Sequence, residues 1–276
     1  MNTIFQDVRY GVRMLIKTPG LTFVVILALA LGIGANTAIF SVINAVVLRP
    51  LPYDHAEQLL FLNERSPALD EMSISYPNFA DWRNQNHVFE KIGVYNRNSY
   101  NLTGYGEAER IPTAQVSADL FSALRVNAAI GRVFTNEEDK PGASPVVVLS
   151  YALWQRRFGS QANILNQSLT LNGKGYTVIG VMPPDYAFPS RVEMWVPVGQ
   201  LSGDPNWQQR GNHPGLYAVA RLKSGTTQAQ AQADMNNIAA NLDQQYPDSN
   251  ATDGVRIRPM MEALVGDTVR NTLWIL

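Results

Sequence analysis

No charged side chain occurs between Lys17 and Arg49, and the stretch between them reads TPGLTFVVILALALGIGANTAIFSVINAVVL. As a helix it rises roughly 45 Å at 1.5 Å per residue, enough to cross a hydrocarbon layer of roughly 30 Å with some tilt. A cleaved signal peptide has a short apolar centre and a small-residue cleavage site, whereas this run continues into a further helical stretch over 38–48. The buried helix of a soluble core rarely needs so many consecutive uncharged residues. The expectation is a retained transmembrane helix over 19–48, followed by a chain polar enough to live in water.

The flank before it gives a direction. Arg9, Arg13 and Lys17 recur every fourth residue as one basic stripe, while Ile4, Phe5, Val8, Val12, Leu15 and Ile16 form an apolar face at helical spacing. That pattern predicts an amphipathic helix over 1–18 lying on membrane lipid at an inner leaflet. Positive charge in a short flank favours the cytoplasmic side, so the N-terminus is expected inside and the residues after about 50 outside. Within the apolar run, Ala30, Gly34 and Ala38 are spaced by four, as are Ala28 and Gly32, forming small-xxx-small ridges on neighbouring faces. Asn36, Thr37, Ser41 and Asn44 add polar atoms that lipid does not satisfy. These features predict a helix packed against other helices rather than a lone anchor.

The remaining sequence alternates between two textures. LLFLN at 59–63 reads as a strand, NFADWRNQNHVFEKI as a helix with Phe79, Trp82, Val88 and Phe89 on one side and Pro77 in its first turn, and 92–95 as a strand again. After about 210 the pattern returns: 216–222 and 255–260 read as strands around an Ala-rich helix. Thr226 or Thr227 caps that helix, and Ala229, Ala233, Ile238, Ala240 and Leu242 lie near one face. The middle has shorter apolar runs and more turns. Asn172-Gly173-Lys174-Gly175 separates two alternating runs as a hairpin, and 150–158 reads as a short helix turning Leu153, Trp154 and Phe158 inward. The fold class expected is α+β: a discontinuous α/β domain of two βαβ units, over 50–95 and 210–265, bracketing an inserted β-rich subdomain over 96–209.

The chain offers little chemistry. With 22 Lys+Arg against 23 Asp+Glu there is no broad basic field, so nucleic acid is not an expected partner. The absence of cysteine removes disulfides, thiolate nucleophiles and Cys-ligated zinc. His55, His87 and His213 have no second ligand at three- or four-residue spacing, and no G-x-S-x-G elbow surrounds Ser41, Ser150 or Ser224. Glu137-Glu138-Asp139 reads as an N-terminal helix turn favoured by the macrodipole. The Gly-rich segments at 104–106 and 173–175 lack the phosphate-cradling loop of an ATPase. No catalytic, cofactor-binding or metal residue is expected, and Trp82, Trp154, Trp195 and Trp207 are read as core. NTLWIL at 271–276 reads as the start of a second transmembrane helix.

Several segments together carry a family resemblance. LALALGIGANTAIFSVINAVVLRPLPY, SYPNFADWRNQNHVFE at 75–90, VVVLSYALWQRRFG at 146–159, LNGKGYTVIGVMPP at 171–184 and ARLKSGTTQAQAQADM at 220–235 resemble, in order and spacing, MacB-like ABC transporter permeases. The similarity is greatest to the large, internally duplicated members that lack an adjacent ATPase gene. It implies a bacterial inner-membrane protein with a periplasmic core at 50–270, made of a porter-like α/β part and the inserted β-rich subdomain. FtsX-like spanning helices would follow after Leu276. It further implies a permease dimer, a separate cytoplasmic ATPase subunit and a periplasmic adaptor as partners, with ATP-driven closure carried by the helices to the core for export or efflux. The alternative left open by the residues is a membrane-anchored periplasmic binding or sensor module without ATP coupling.

Overall fold

The computed structural model describes residues 2–43 and 51–265. It divides into two compact units, Met1–Pro50 with Leu264–Leu276, and Leu51–Ala263.

In the first unit, α1 (Asn2–Lys17) and α2 (Pro19–Ile43) are separated at Thr18. Proline has no N–H to give the carbonyl four residues back, so helix hydrogen bonding fails at Leu15. The Thr22 hydroxyl donates to the Leu15 carbonyl instead, at 2.6 Å. Pro19–Ala38 is long and apolar enough to cross a membrane, and its side chains are not buried within the chain. The Thr37 hydroxyl satisfies itself on the Ile33 carbonyl at 2.7 Å. Asn44, the expected exit at Arg49-Pro50 and the run at 271–276 lie outside the described residues.

The second unit begins with β1 (Leu59–Arg65), α3 (Tyr76–Gln85), β2 (Phe89–Thr103), β3 (Glu109–Val116), α4 (Ala118–Leu124) and β4 (Ile130–Gly131). It continues with β5 (Val146–Leu149), α5 (Tyr151–Phe158), β6 (Ser168–Leu171), β7 (Lys174–Val181) and β8 (Met194–Pro197). It closes with β9 (Tyr217–Leu222), α6 (Gln228–Gln245), α7 (Pro247–Asn250), β10 (Gly254–Pro259) and α8 (Met260–Val265). The strands form one ten-stranded sheet in the order β10-β1-β9-β2-β3-β8-β5-β7-β4, with β6 pairing β7 and β2.

Both expected βαβ units are present, but neither has its parallel strands side by side. β9 pairs antiparallel with β1 and β2, and β1 pairs antiparallel with β9 and β10. Each unit therefore holds a strand of the other between its own two, the split βαβ arrangement. Alternation along the strands sends Leu60, Leu62, Ile92, Val94, Ala218 and Ala220 to one face, where α3 and α6 cover them with Phe79, Trp82, Met235 and Ile238. The β-rich middle has its own core, in which Leu153, Trp154 and Phe158 of α5 pack on β5 to β8.

Three local readings are corrected. Helix α3 stops at Gln85, where Asn86 Nδ2 takes the Trp82 and Arg83 carbonyls, so Val88 and Phe89 lie beyond it and Phe89 opens β2. The buried stripe of α6 is Ala231, Met235, Ile238 and Leu242, while Ala229, Ala233 and Ala240 face outward. Alanine is too small to mark a face, and the spacing of the larger side chains decides it. The hairpin turn is Asn172-Gly173 alone, both with positive φ (49° and 78°), and Lys174-Gly175 belong to β7. Thr227 does cap α6, in a reciprocal pair with Gln230.

Strand β2 is 15 residues long. Its first half pairs with β9 and its second with β3, so it runs unbroken through the expected boundary at 95/96. Helix α4 lies directly on it at Gly93, where a Cβ would stand 2.3 Å from Leu120 Cα. Gly93→Ala must therefore push α4 off the sheet. Urea denaturation should show a loss of about 3 kcal/mol, the upper end for overpacking a core, whereas Gly211→Ala, with open space around it, should leave the midpoint unchanged.

Candidate functional site

The five small residues singled out in the apolar helix, Ala28, Ala30, Gly32, Gly34 and Ala38, all lie in α2 and are exposed. A Cβ on Gly32 or Gly34 would meet nothing within 4 Å. Because α2 is one continuous helix turning about 100° per residue, the Ala28/Gly32 ridge stands roughly 140° from the Ala30/Gly34/Ala38 ridge. The two ridges thus occupy nearly opposite sides of the helix, not neighbouring faces.

The core unit is packed and hydrogen-bonded at the segment where the chain enters it. Leu51 and Tyr53 pack against the cluster containing Leu59, Phe61, Phe121 and Met260, and Ala263 joins the same cluster as the chain leaves β10. The short turn Ala56–Gln58 then leads into β1. Beneath it lies Arg221 of β9, fully buried. Its Nε donates to the Ala123 carbonyl at 2.6 Å, and its Nη1 to the His55 carbonyl at 3.2 Å and Gln58 Oε1 at 3.4 Å. Ala123 is in the last turn of α4, where the helix dipole favours a cation. One guanidinium therefore ties the incoming segment, β9 and α4 together. Burial and the nearby Arg125 push its pKa down, and Nη2 has no partner. Arg125 closes the junction from outside, 2.6 Å from Asp54 and 3.1 Å from Glu90.

A second polar centre lies at the other end of β1. Glu64 is 1% exposed. It accepts from the Ser75 N–H at 3.1 Å and Asn78 Nδ2 at 2.8 Å, and stands 2.6 Å from His213 Nε2. His213 Nδ1 is 3.3 Å from the Gly211 carbonyl. With acceptors at both ring nitrogens, the imidazolium is the form that satisfies both, and the Glu64 hydrogen bond raises the His213 pKa. Arg210 extends the network to Asn78 (2.6 Å) and Asp81 (2.5 Å) and stacks over Tyr246 at 3.7 Å. The loop before β9 is thereby held to β1, α3 and the α6–α7 turn.

None of this had a local signature in the sequence. His213 and Glu64 are 149 residues apart in the chain, and His87 meets Asp234 across 147. The histidines thus have carboxylate neighbours that spacing did not reveal, yet among the described residues no group of three or more ligand side chains could hold a metal. Glu137-Glu138-Asp139 is a turn, not a helix start. Glu138 forms a double hydrogen bond with Arg132 at 2.7 Å. Asp139 accepts from the Ala118 N–H at the start of α4 and from the Gly199 N–H, so it serves the N-terminus of a helix distant in sequence. Burial pushes the Asp139 carboxyl up to about 6. Trp82, Trp154 and Trp195 are buried as expected, with the Trp195 indole donating to the Phe188 carbonyl.

Residues 22–238 match the family described as the MacB-like periplasmic core domain. No curated protein sequence matches the chain significantly. Among solved structures, the chain is similar to the extracellular domain of the noncanonic ABC-type transporter YknZ from Gram-positive bacteria. The identity is 15% and the TM-score 0.52, over 72% of this chain and 99% of that one. It is similar also to the periplasmic region of MacB from Actinobacillus actinomycetemcomitans, at 12% identity and a TM-score of 0.55, over 80% of this chain and 94% of that one. At these identities the likeness is one of fold.

Two outcomes follow from the junction and the buried pair. In Arg221→Met the Ala123 and His55 carbonyls lose their donor, which costs about 1–3 kcal/mol, and segment 53–58 loses its tie. Hydrogen exchange at 53–58 should accelerate by more than the accompanying loss of global stability accounts for; exchange there that only tracks the global loss would refute the tie. For pH, the raised His213 pKa means that its pairing with Glu64 stabilises fully below the unfolded value near 6.5 and is lost as pH rises through the higher folded value. The raised Asp139 acts in the same direction, since the folded state keeps a proton that the unfolded chain releases, so stability falls as pH climbs toward about 6. Denaturation midpoints should be higher at pH 5.5 than at pH 8, and His213→Phe should flatten the part of that slope above about pH 6.5.

Proposed function

The chain belongs to the family of MacB-like periplasmic core domains of ABC-type transporter permeases, and from that premise we propose that it is the leading part of a permease subunit that turns ATP hydrolysis by a separate ATPase into movement of an extracytoplasmic core, for export or efflux. In this reading α1 lies on the cytoplasmic face, α2 spans the inner membrane and the core stands outside, as the basic stripe of α1 supports. Residues 50–95 and 210–265 are the porter-like halves and 96–209 the insertion. The opposed ridges of α2 contact two different neighbours, one of them the second copy of a permease dimer. The family is a transporter permease component, not a classical enzyme.

The observation that carries the reading is the attachment of segment 51–58. It follows α2 in sequence and is packed through Leu51 and Tyr53 and pinned through Arg221. Displacement of that segment reaches the sheet directly instead of being absorbed by a slack linker, which Gly/Ser-rich chain would provide. Inserting six Gly/Ser residues after Pro50 in the protein expressed from its own gene should abolish export of its cargo while leaving co-purification with the ATPase and basal ATP hydrolysis intact. Undiminished export by that variant would refute mechanical coupling through this segment, and failure of the unaltered protein to associate with any ATPase would refute the permease reading itself.

A further inference from the structure

The face of the sheet opposite α3 and α6 is covered unevenly. Helix α4 lies over Gly93, and Phe188 packs edge-on against Tyr95, with ring centroids 5.0 Å apart. Between these covers and β10 lies a groove of about 580 Å³, edged by Ala263. That volume lies within the range of small-molecule sites. Its floor is aromatic. Tyr217 faces Phe61 at 6.3 Å and Tyr95 at 5.7 Å between centroids, tilted at 35° and 33°. Phe61 and Tyr95 are buried, but Tyr217, on an inner strand of the sheet, remains 37% exposed.

The walls are charged unequally. On one side Arg258 and Glu71 form an ion pair at 2.5 Å and cancel. On the other, Arg97 touches the neutral Ser190 hydroxyl at 3.1 Å, and among the described residues no carboxylate pairs with it. Beside it Asn96 donates to the Pro214 carbonyl, and Gly215, at φ 87°, brings bare backbone to the rim. The groove therefore joins a flat aromatic floor to one guanidinium without a carboxylate partner among the described residues, whose planar fork suits carboxylate, sulfonate or phosphate oxygens.

We propose that this groove is a binding site for small amphipathic organic anions, with the apolar, flat part of the ligand on Tyr217 and its acidic group on Arg97. The assignment concerns recognition by the core alone and stands or falls independently of ATP-driven transport. An uncharged ligand of the same shape would gain the floor and lose the guanidinium, so charge is the discriminating variable.

The test uses naphthalene-2-sulfonate and its uncharged isostere naphthalene-2-sulfonamide, titrated by calorimetry into the full chain in phosphatidylcholine nanodiscs with empty nanodiscs as the blank. The expected result is saturable binding of the sulfonate at one site per chain. Arg97→Gln should weaken the sulfonate about tenfold, the loss of one charge-assisted contact, and leave the sulfonamide unchanged. Arg97→Lys should keep part of the sulfonate affinity, and Tyr217→Ser should weaken both probes. Thermal midpoints of the three variants establish that each is folded, which two exposed positions favour. Absence of saturable binding, equal weakening of both probes by Arg97→Gln, or sulfonate affinity unaffected by either substitution would overturn the proposal.

Discussion

The pairing of one long strand with two sets of partners holds the core unit together. β2 takes β9 over its first half and β3 over its second, exchanging about one backbone hydrogen bond per residue with each, and its side chains enter three different cores. Ile92 and Val94 lie under the helices α3 and α6, Tyr95 faces the α4 side, and Tyr100 and Leu102 reach the β-rich core around α5. Sliding the strand by one residue would turn each of these side chains to the wrong face. The split βαβ half and the β-rich half consequently share a single register. A bend between them must be made by twisting the sheet, not by opening a hinge at residue 95.

Burial of charge is concentrated where segments distant in sequence meet. Arg221 joins β9, α4 and the incoming turn; Glu64 joins β1, the start of α3 and the loop before β9. Such groups are costly to desolvate and are retained in a fold when their hydrogen bonds specify one arrangement over nearby alternatives. Arg221 replaces a direct ion pair with carbonyl oxygens and the C-terminal end of α4, whereas Glu64 is matched by an imidazolium. The second tie weakens as pH rises above the ordinary imidazole value, through the raised value of His213. The incoming segment and the loop before β9 are thus held by different chemistry.

The legible parts of the fold were those with a local period. Pro19–Ile43 of the uncharged run is α2, the strands expected at 216–222 and 255–260 fell close to their places, and Thr227 caps α6. The reading failed where side-chain size or spacing was ambiguous: alanines in α6 suggested a face that Met235 and Ile238 in fact define, and Phe89 looked helical beside Trp82 although Asn86 had already ended the helix. The candidate site was scarcely legible. A buried arginine in LYAVARL gives no sign of its burial, because strand alternation only says that Arg221 shares a face with Tyr217 and Val219, not that α4 will cover that end of it.

By itself the sequence determined which segments must leave water and which elements form, since apolar length, period and capping are properties of neighbouring residues. It determined also the family, through short motifs in order. Only the tertiary structure decided that the two βαβ units interleave, that Glu64 meets His213 and that Arg221 holds the turn at 56–58. It decided too that Tyr217 stays exposed over buried Phe61 and Tyr95, in the groove that Arg97 also lines. Those outcomes depend on strand order and on what packs against each face, and contacts between residues more than a hundred positions apart leave no period in the chain to read.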